Sequence, residues 1–334
     1  MEPDRIIVVG ASAGGVEATM ALVRELPPDF PAALFITIHF PPDVESYLPT
    51  ILSRVTKLAV VPAANGAPIA AGTVYVARPG QHLLLRRGLI RLSRGPTENG
   101  NRPAIDPMFR SAALAYGARV IGVVLTGNLD DGTSGLLTIK RRGGIAVVQD
   151  PADAMFPPMP TSAIRHVMVD HVAPLAAIPE LLRALVAEPA PERMGGEVMD
   201  DARQENEFSS FDLEAMDETA AHPGTPSAFG CPDCGGVLWE IRDGDLVRYR
   251  CRVGHGWTSD ALASEQQVTL EDALWTALRA LEESAQLNEQ LAQRLGQRGA
   301  ERLRDRFASR SANLRDQAAL IRQILVDSAK PDEG

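Results

Sequence analysis

The run Ile6-Ile7-Val8-Val9, followed at once by Gly10-Ala11-Ser12-Ala13-Gly14-Gly15, constrains the fold more than any other stretch. Four β-branched residues with no polar alternate read as a strand covered on both faces, the mark of a parallel sheet between helices. Val16 to Val23 then reads as a helix. The glycine-rich turn between them has the Gly-x-Ser-x-Gly form of a nucleophile elbow, which lifts Ser12 above the carboxyl edge of the sheet beside the positive end of a helix. Taken alone, the turn also fits two other readings. A dinucleotide-binding turn would want glycine where Ser12 stands, so that the backbone could meet a pyrophosphate. A plain strand-to-helix turn would use Ser12 only as a cap.

The same rhythm continues to about residue 187. Ala33 to Ile38 is a second strand and is followed directly by His39. Shorter strands are expected at 74–76, 83–85 and 89–92, the last two joined at Arg87-Gly88. Asp106 to Tyr116 reads as a helix, Val120 to Leu125 as a buried strand, Gly135 to Arg142 as a helix and Ile145 to Gln149 as a further strand. Strands alternating with helices predict an α/β class fold, a doubly wound and mainly parallel sheet. Such sheets bind ligands outside the carboxyl ends of their strands. Three of those ends carry Ser12, His39 and the loop Thr126-Gly127-Asn128-Leu129-Asp130-Asp131-Gly132. Serine, imidazole and carboxylate on one edge are the parts of a Ser–His–Asp triad.

Val9 to Gly15, Ile38-His39-Phe40-Pro41-Pro42 and Gly122 to Gly132 resemble the CheB-type protein-glutamate methylesterases of bacterial chemotaxis, as do Asn101 to Asp106 and Met159 to Ile164. The resemblance covers residues 5 to about 187 in the family's motif order. It implies Ser12 as nucleophile, His39 as general base and Asp131 as the orienting acid. It also implies Ala13, Asn128 and Met159 in the oxyanion and substrate-binding region, and no cofactor for catalysis. The implied substrate is a glutamate methyl ester on a methylated chemoreceptor signalling domain, with glutamine deamidation through the same acyl-enzyme. The family loop is usually Thr-Gly-Met-Gly-x-Asp-Gly, and here Asn128 and Leu129 replace Met and Gly. Leucine at 129 is unfavourable if that position needs a positive φ. Asp130 and Asp131 are adjacent, and Gly132 favours Asp131 as the acid. Many family members carry an N-terminal receiver domain; with the first strand at residue 6, a stand-alone catalytic domain is expected. A non-catalytic scaffold that binds receptors or a methyltransferase is the competing expectation, and an esterase for another methylated protein is a third.

Net charge of −10 argues against a nucleic-acid partner. No run of about 18 apolar residues is present and Met1 to Arg5 is no signal peptide, so a cytoplasmic protein without membrane insertion is expected. Residues 188–228 are rich in Asp, Glu, Gly, Ser and Pro and read as a flexible acidic linker, with an acidic docking segment around Phe208, Phe211 and Leu213 as the alternative. All three cysteines lie beyond it, as Cys231-Pro232-Asp233-Cys234 and Cys251, with His255 close behind. Thiolate and imidazole at this spacing predict a closed, structural zinc site in a ribbon-like module over 229–260, its hairpin turning at Asp243-Gly244. Over 261–330, Leu270, Leu274, Leu278 and Leu281, then Leu303, Phe307, Leu314 and Ile321, predict two helices broken at Gly296 to Gly299. These form an αα-hairpin or a coiled coil, whose role is either packing or recruitment to a signalling complex.

Overall fold

The computed structural model describes residues 3–42, 44–190, 200–211 and 224–328. The chain divides into two compact units, Met1–Leu262 and Ala263–Gly334. In the first, β1 (Ile6–Ala11), α1 (Gly15–Arg24), β2 (Ala33–Ile38), α2 (Leu48–Ser53), β3 (Ala59–Pro62) and β4 (Thr73–Val76) form one wing of a sheet. The hairpin β5 (His82–Arg86) and β6 (Leu89–Ser93) follows, then α3 (Ile105–Tyr116). The other wing holds β7 (Val120–Val124), α4 (Thr133–Arg141), β8 (Ile145–Gln149), α5 (Pro158–His166), β9 (His171–Ala173) and α6 (Ile178–Ala187).

Among the described residues this sheet has seven strands in the order β3-β4-β2-β1-β7-β8-β9, all paired in parallel. The chain winds outward from β1 through β2, then crosses back to β7 on its other side, so the topological switch lies beside β1. The pattern that predicted a doubly covered strand is realised residue by residue. Ile6 and Val8 pack into one core with α3, the hairpin and α5, while Ile7, Val9 and Ala11 pack into the opposite core with α1, α2 and α6. The edge strands β3 and β9, short and partly exposed, carry no such run and escape a sequence reading.

Gly10 ends the apolar run for a steric reason. A Cβ there would sit 2.3 Å from Ile105 Cγ2, so glycine lets the first residue of α3 lie directly on β1. Gly132 does the same from the β7 side, where a Cβ would come 2.9 Å from the same methyl.

Within residues 188–228 the structure departs from a linker. α7 (Asp200–Ser210) is helical, and its Glu205 and Ser209 are buried; residues 191–199 and 212–223 lie outside the described residues, and Leu213 of the alternative docking segment with them. Phe208 of that segment packs where a Cβ on Gly254 would stand, while the Ser209 carbonyl closes on Gly95. Four antiparallel strands follow, β10 (Thr225–Gly230), β11 (Val237–Asp243), β12 (Leu246–Cys251) and β13 (Gly256–Thr258), beginning upstream of the expected boundary at 229. This small sheet belongs to the same compact unit as the parallel sheet. α8 (Ser259–Gln297) and α9 (Glu301–Ser328) follow, separated by a break where Gly299 takes φ 72°. Within the second unit Leu278, Ala318 and Leu325 form a core with Leu274, Leu281 and Ile321, so α8 and α9 pack on one another as a helical hairpin.

Gly10→Ala should destabilise the protein by about 1–3 kcal/mol, because the added methyl has no room against Ile105. A urea midpoint equal to that of the unsubstituted protein would rule out this account of the packing.

Candidate functional site

Ser12 follows β1, with its N–H donating to the Thr126 carbonyl at 3.0 Å and its own carbonyl accepting from Gly15 at 2.9 Å. Gly14 turns the chain into α1 at φ 72°, a conformation glycine adopts without steric cost. His39 follows β2, half-buried. Its Nδ1 lies 3.1 Å from Ser12 Oγ and its Nε2 lies 2.7 Å from Asp131 Oδ2. The three residues expected at three strand ends thus lie in one hydrogen-bonded chain. Of the two adjacent aspartates, Asp131 faces His39, whereas Asp130 accepts from Thr258 Oγ1 at 2.6 Å.

Asp131 is buried and accepts five hydrogen bonds. Oδ2 takes His39 Nε2 and the Ile105 N–H at 2.7 Å each; Oδ1 takes Gly132 N–H at 3.0 Å, Asp106 N–H at 3.2 Å and Asn99 Nδ2 at 3.3 Å. Two of these donors are the first N–H groups of α3, which have no partner inside the helix. Burial alone would raise the pKa of this carboxyl. The hydrogen bonds from His39 and from the α3 amides outweigh it and hold the group below the usual carboxylate value. Asp106 beside it is pushed well above that range by burial and by Asp131, so the negative charge of the pair rests on Asp131. An ionised acceptor at Nε2 keeps the proton on that nitrogen and leaves the Nδ1 lone pair facing Ser12.

The remaining expected residues take different places. Ala13 borders Ser12, and its carbonyl accepts from Thr126 Oγ1 at 3.0 Å. Asn128 lies in the loop after β7, next to Gly127, whose N–H donates to Phe156 and whose carbonyl accepts from Met159. Met159 is fully buried, its sulfur placed where a Cβ on Gly127 would be; it supports the loop from beneath and has no exposed surface with which to touch a substrate. Leu129 does occupy the left-handed region, at φ 58°, and is 40% exposed. A leucine there costs about 1–2 kcal/mol that glycine would not.

The second cluster lies in the small sheet. Cys231, Cys234, Cys251 and His255 bring their ligand atoms within 4.8 Å of one another and form a metal-binding site. Cys234 Sγ is 3.7 Å from Cys251 Sγ, and His255 Nδ1 is 3.5 Å from Cys251 Sγ and 3.7 Å from Cys231 Sγ. A tetrahedral zinc ion with Zn–S near 2.3 Å and Zn–N near 2.0 Å requires edges of about 3.5–3.8 Å, so the donor set fits zinc. Four protein ligands leave no open position, which makes the site structural. The two ligand turns are shaped by Gly235 N–H to Cys231 O and Gly254 N–H to Cys251 O.

Between the two sites runs a buried charge network that the sequence did not disclose. Arg110 of α3 donates to Glu98 at 2.5 Å, Arg248 to Glu205 at 2.6 Å, and Arg250 lies 3.1 Å from Glu98 and 3.4 Å from Glu205. Ser209 of α7 adds a hydrogen bond to Glu98 at 2.6 Å. Despite burial, the arginines hold both glutamates below the usual carboxylate range.

The family model described as CheB methylesterase matches residues 7–182. The chain belongs to this family. It is 41% identical over 180 residues to protein-glutamate methylesterase/protein-glutamine glutaminase 2 of Anaeromyxobacter dehalogenans, covering 54% of this chain and 53% of that protein. A relative of the same description from Thiobacillus denitrificans is 38% identical over 180 residues, covering 53% and 50%. The chain therefore spans about half the length of the curated relatives it matches. Among solved structures, the CheB methylesterase catalytic domain of Thermotoga maritima superposes with a TM-score of 0.52 at 33% identity, covering 54% of this chain and 98% of that one. The matched part of this family member ends near α6; α7, the metal module and the two long helices lie beyond it.

Burial pushes Asp130 up to about 7, with Asp260 and Asp131 adding to the rise and the Thr258 hydrogen bond opposing it. An unfolded chain releases that proton near pH 3.9, so between about pH 4 and pH 7 the folded state holds more protons and stability falls as pH rises. Asp130→Asn should remove up to about 1.4 kcal/mol per pH unit of this slope, read from urea unfolding at about pH 5 and pH 7. Identical slopes in the two proteins would contradict the assigned state of Asp130.

Proposed function

We propose that this chain is a protein-glutamate methylesterase that hydrolyses glutamate methyl esters on chemoreceptor signalling domains, with Ser12, His39 and Asp131 as its catalytic residues. The observation that carries the reading is the hydrogen-bonded chain from Ser12 through His39 to Asp131 at the carboxyl edge of a sheet that belongs to the CheB family. The serine hydroxyl attacks the ester carbonyl as Nδ1 of His39 takes its proton, and the ionised Asp131 stabilises the imidazolium. The N–H groups of Ala13 and Asn128 receive the oxyanion; among the described residues neither donates to a backbone carbonyl. Collapse breaks the bond to methoxide, which leaves as methanol with the proton from His39. A water deprotonated by His39 then releases glutamate and restores Ser12. Glutamine deamidation follows the same course with ammonia as leaving group.

No helix among the described residues is long and apolar enough to cross a membrane. We place the enzyme in the cytoplasm, with the receptor signalling domain as its substrate there. Recruitment to a signalling complex or a receptor methyltransferase falls to α8 and α9, whose exposed Trp275, Leu320 and Ile324 lie outside their mutual core. The second reading is a non-catalytic scaffold for receptors, favoured by Leu129 in a conformation that resists a leucine.

Methanol release from a methylated receptor signalling domain separates the two. Ser12→Ala should abolish it, and Asp131→Asn should lower kcat by about 10³–10⁴-fold. Equal release by wild type and Ser12→Ala would refute the nucleophile, and none by the wild type would favour the scaffold.

A further inference from the structure

Asn99 and Thr258 tie the metal module to the loop that holds the catalytic acid. Asn99 sits at φ 52°, a conformation asparagine tolerates better than most residues. Four hydrogen bonds hold it there: its N–H donates to Gly256 O at 2.8 Å, its Nδ2 donates to Asp131 Oδ1 at 3.3 Å, its Oδ1 accepts the Thr258 N–H at 2.8 Å, and its carbonyl accepts from Asn101 Nδ2 at 2.7 Å. The orientation of the amide is fixed by chemistry, since a carboxylate can only accept and a backbone N–H can only donate. Thr258 also reaches the loop by itself. Its hydroxyl donates to Asp130 at 2.6 Å and accepts from the Ala261 N–H at 3.2 Å, capping the first turn of α8.

Both contacts come from one strand. β13 begins one residue after the ligand His255, whose carbonyl accepts the N–H of the ligand Cys251 at 3.0 Å. Gly256 donates to Thr97 O at 3.1 Å, which completes a parallel bridge between β13 and the segment preceding α3. Trp257 lies buried between these contacts, its ring over Gly100, where a Cβ would be 3.6 Å away. A metal drawing Cys251 and His255 together would act on the start of β13 in addition to these contacts, its pairing with β12 and the Arg250 bond to Gly254 O at 2.6 Å.

We propose that Asn99 and Thr258 are positioning residues for the Asp130-Asp131 loop, and that through them the loaded Cys₃His module is required for full activity at Ser12. The inference rests on the methylesterase reading for its kinetic part, but its geometric part can be read without turnover. A structural anchor alone would set stability; a positioning role also sets the His39–Asp131 hydrogen bond.

The test uses the full chain. Asn99→Gly removes the amide while keeping the backbone conformation free of strain, and Thr258→Val removes the hydroxyl, with Thr258→Ser as the conservative control. A zinc-stripped sample is compared before and after zinc is returned. Each is assayed for zinc content, thermal midpoint, kcat and KM for methanol release, and the downfield proton resonance of the His39 imidazole N–H facing Asp131. Asn99→Gly should keep its zinc and its KM, lose about tenfold or more in kcat, and shift or broaden the imidazole resonance. Thr258→Val should behave likewise and Thr258→Ser should recover. Stripping should give the same loss and zinc should reverse it. Unchanged kcat and resonance in folded Asn99→Gly, or in a folded stripped sample, would overturn the proposal. If the wild type releases no methanol, the methylesterase reading fails, and the imidazole resonance alone still decides the positioning role.

Discussion

A carboxylate can be buried and remain charged only if protein donors replace the water it has lost, and the arrangement around Asp131 follows from that requirement. Two of its donors are the first amides of α3, so the helix must start within reach of the loop after β7. The helix can start there because Gly10 and Gly132 leave room for Ile105. A third donor is His39, which fixes the ring with Nδ1 toward Ser12. The apolar core, the elbow glycine and the polar site are therefore one packing problem. Enlarging either glycine would move the amides that keep Asp131 ionised.

The charge network between α3, α7 and the small sheet plays a different part. Glu98, Glu205, Arg110, Arg248 and Arg250 are all buried, and desolvating ions costs about as much as their attraction returns. The network instead fixes where α7 sits: Arg110 of α3 and Arg250 of β12, both paired with Glu98, converge with Arg248 on a carboxylate that α7 supplies, Glu205. α7, polar along its length, docks by this means, supplemented by Phe208 under the Arg250 guanidinium 5.8 Å from the ring centroid. Losing a single member would strand its counter-charges in a dry interior, a larger effect than deleting the whole set.

The parts legible in the sequence are those governed by local rules. The doubly buried β1, the placement of Ser12, His39 and Asp131 at strand ends, and the spacing of Cys231, Cys234, Cys251 and His255 all follow from periodicity or turn chemistry acting over a few residues. α7 was not legible, because its helix is stabilised by arginines far along the chain and by no apolar stripe of its own. Asn99 was equally hidden: a lone asparagine before a glycine reads as a turn, and nothing local says that it reaches both Asp131 and Thr258. Met159 shows the opposite failure, a residue whose motif membership drew attention to the surface when its side chain belongs to the core.

The bond from Thr258 to Asp130 also has a meaning in time. A ribosome makes the parallel sheet and its helices first and then needs about 4–14 s more to add the roughly 70 residues from Ala187 to Thr258. Over that interval the nascent domain holds every strand of its main sheet, yet Asp130 lacks its hydroxyl donor and Asn99 lacks its backbone partners on β13. The last contacts around the loop close only after the cysteine-bearing hairpin has emerged, so completion of this site waits on a residue more than a hundred positions downstream of the loop it holds.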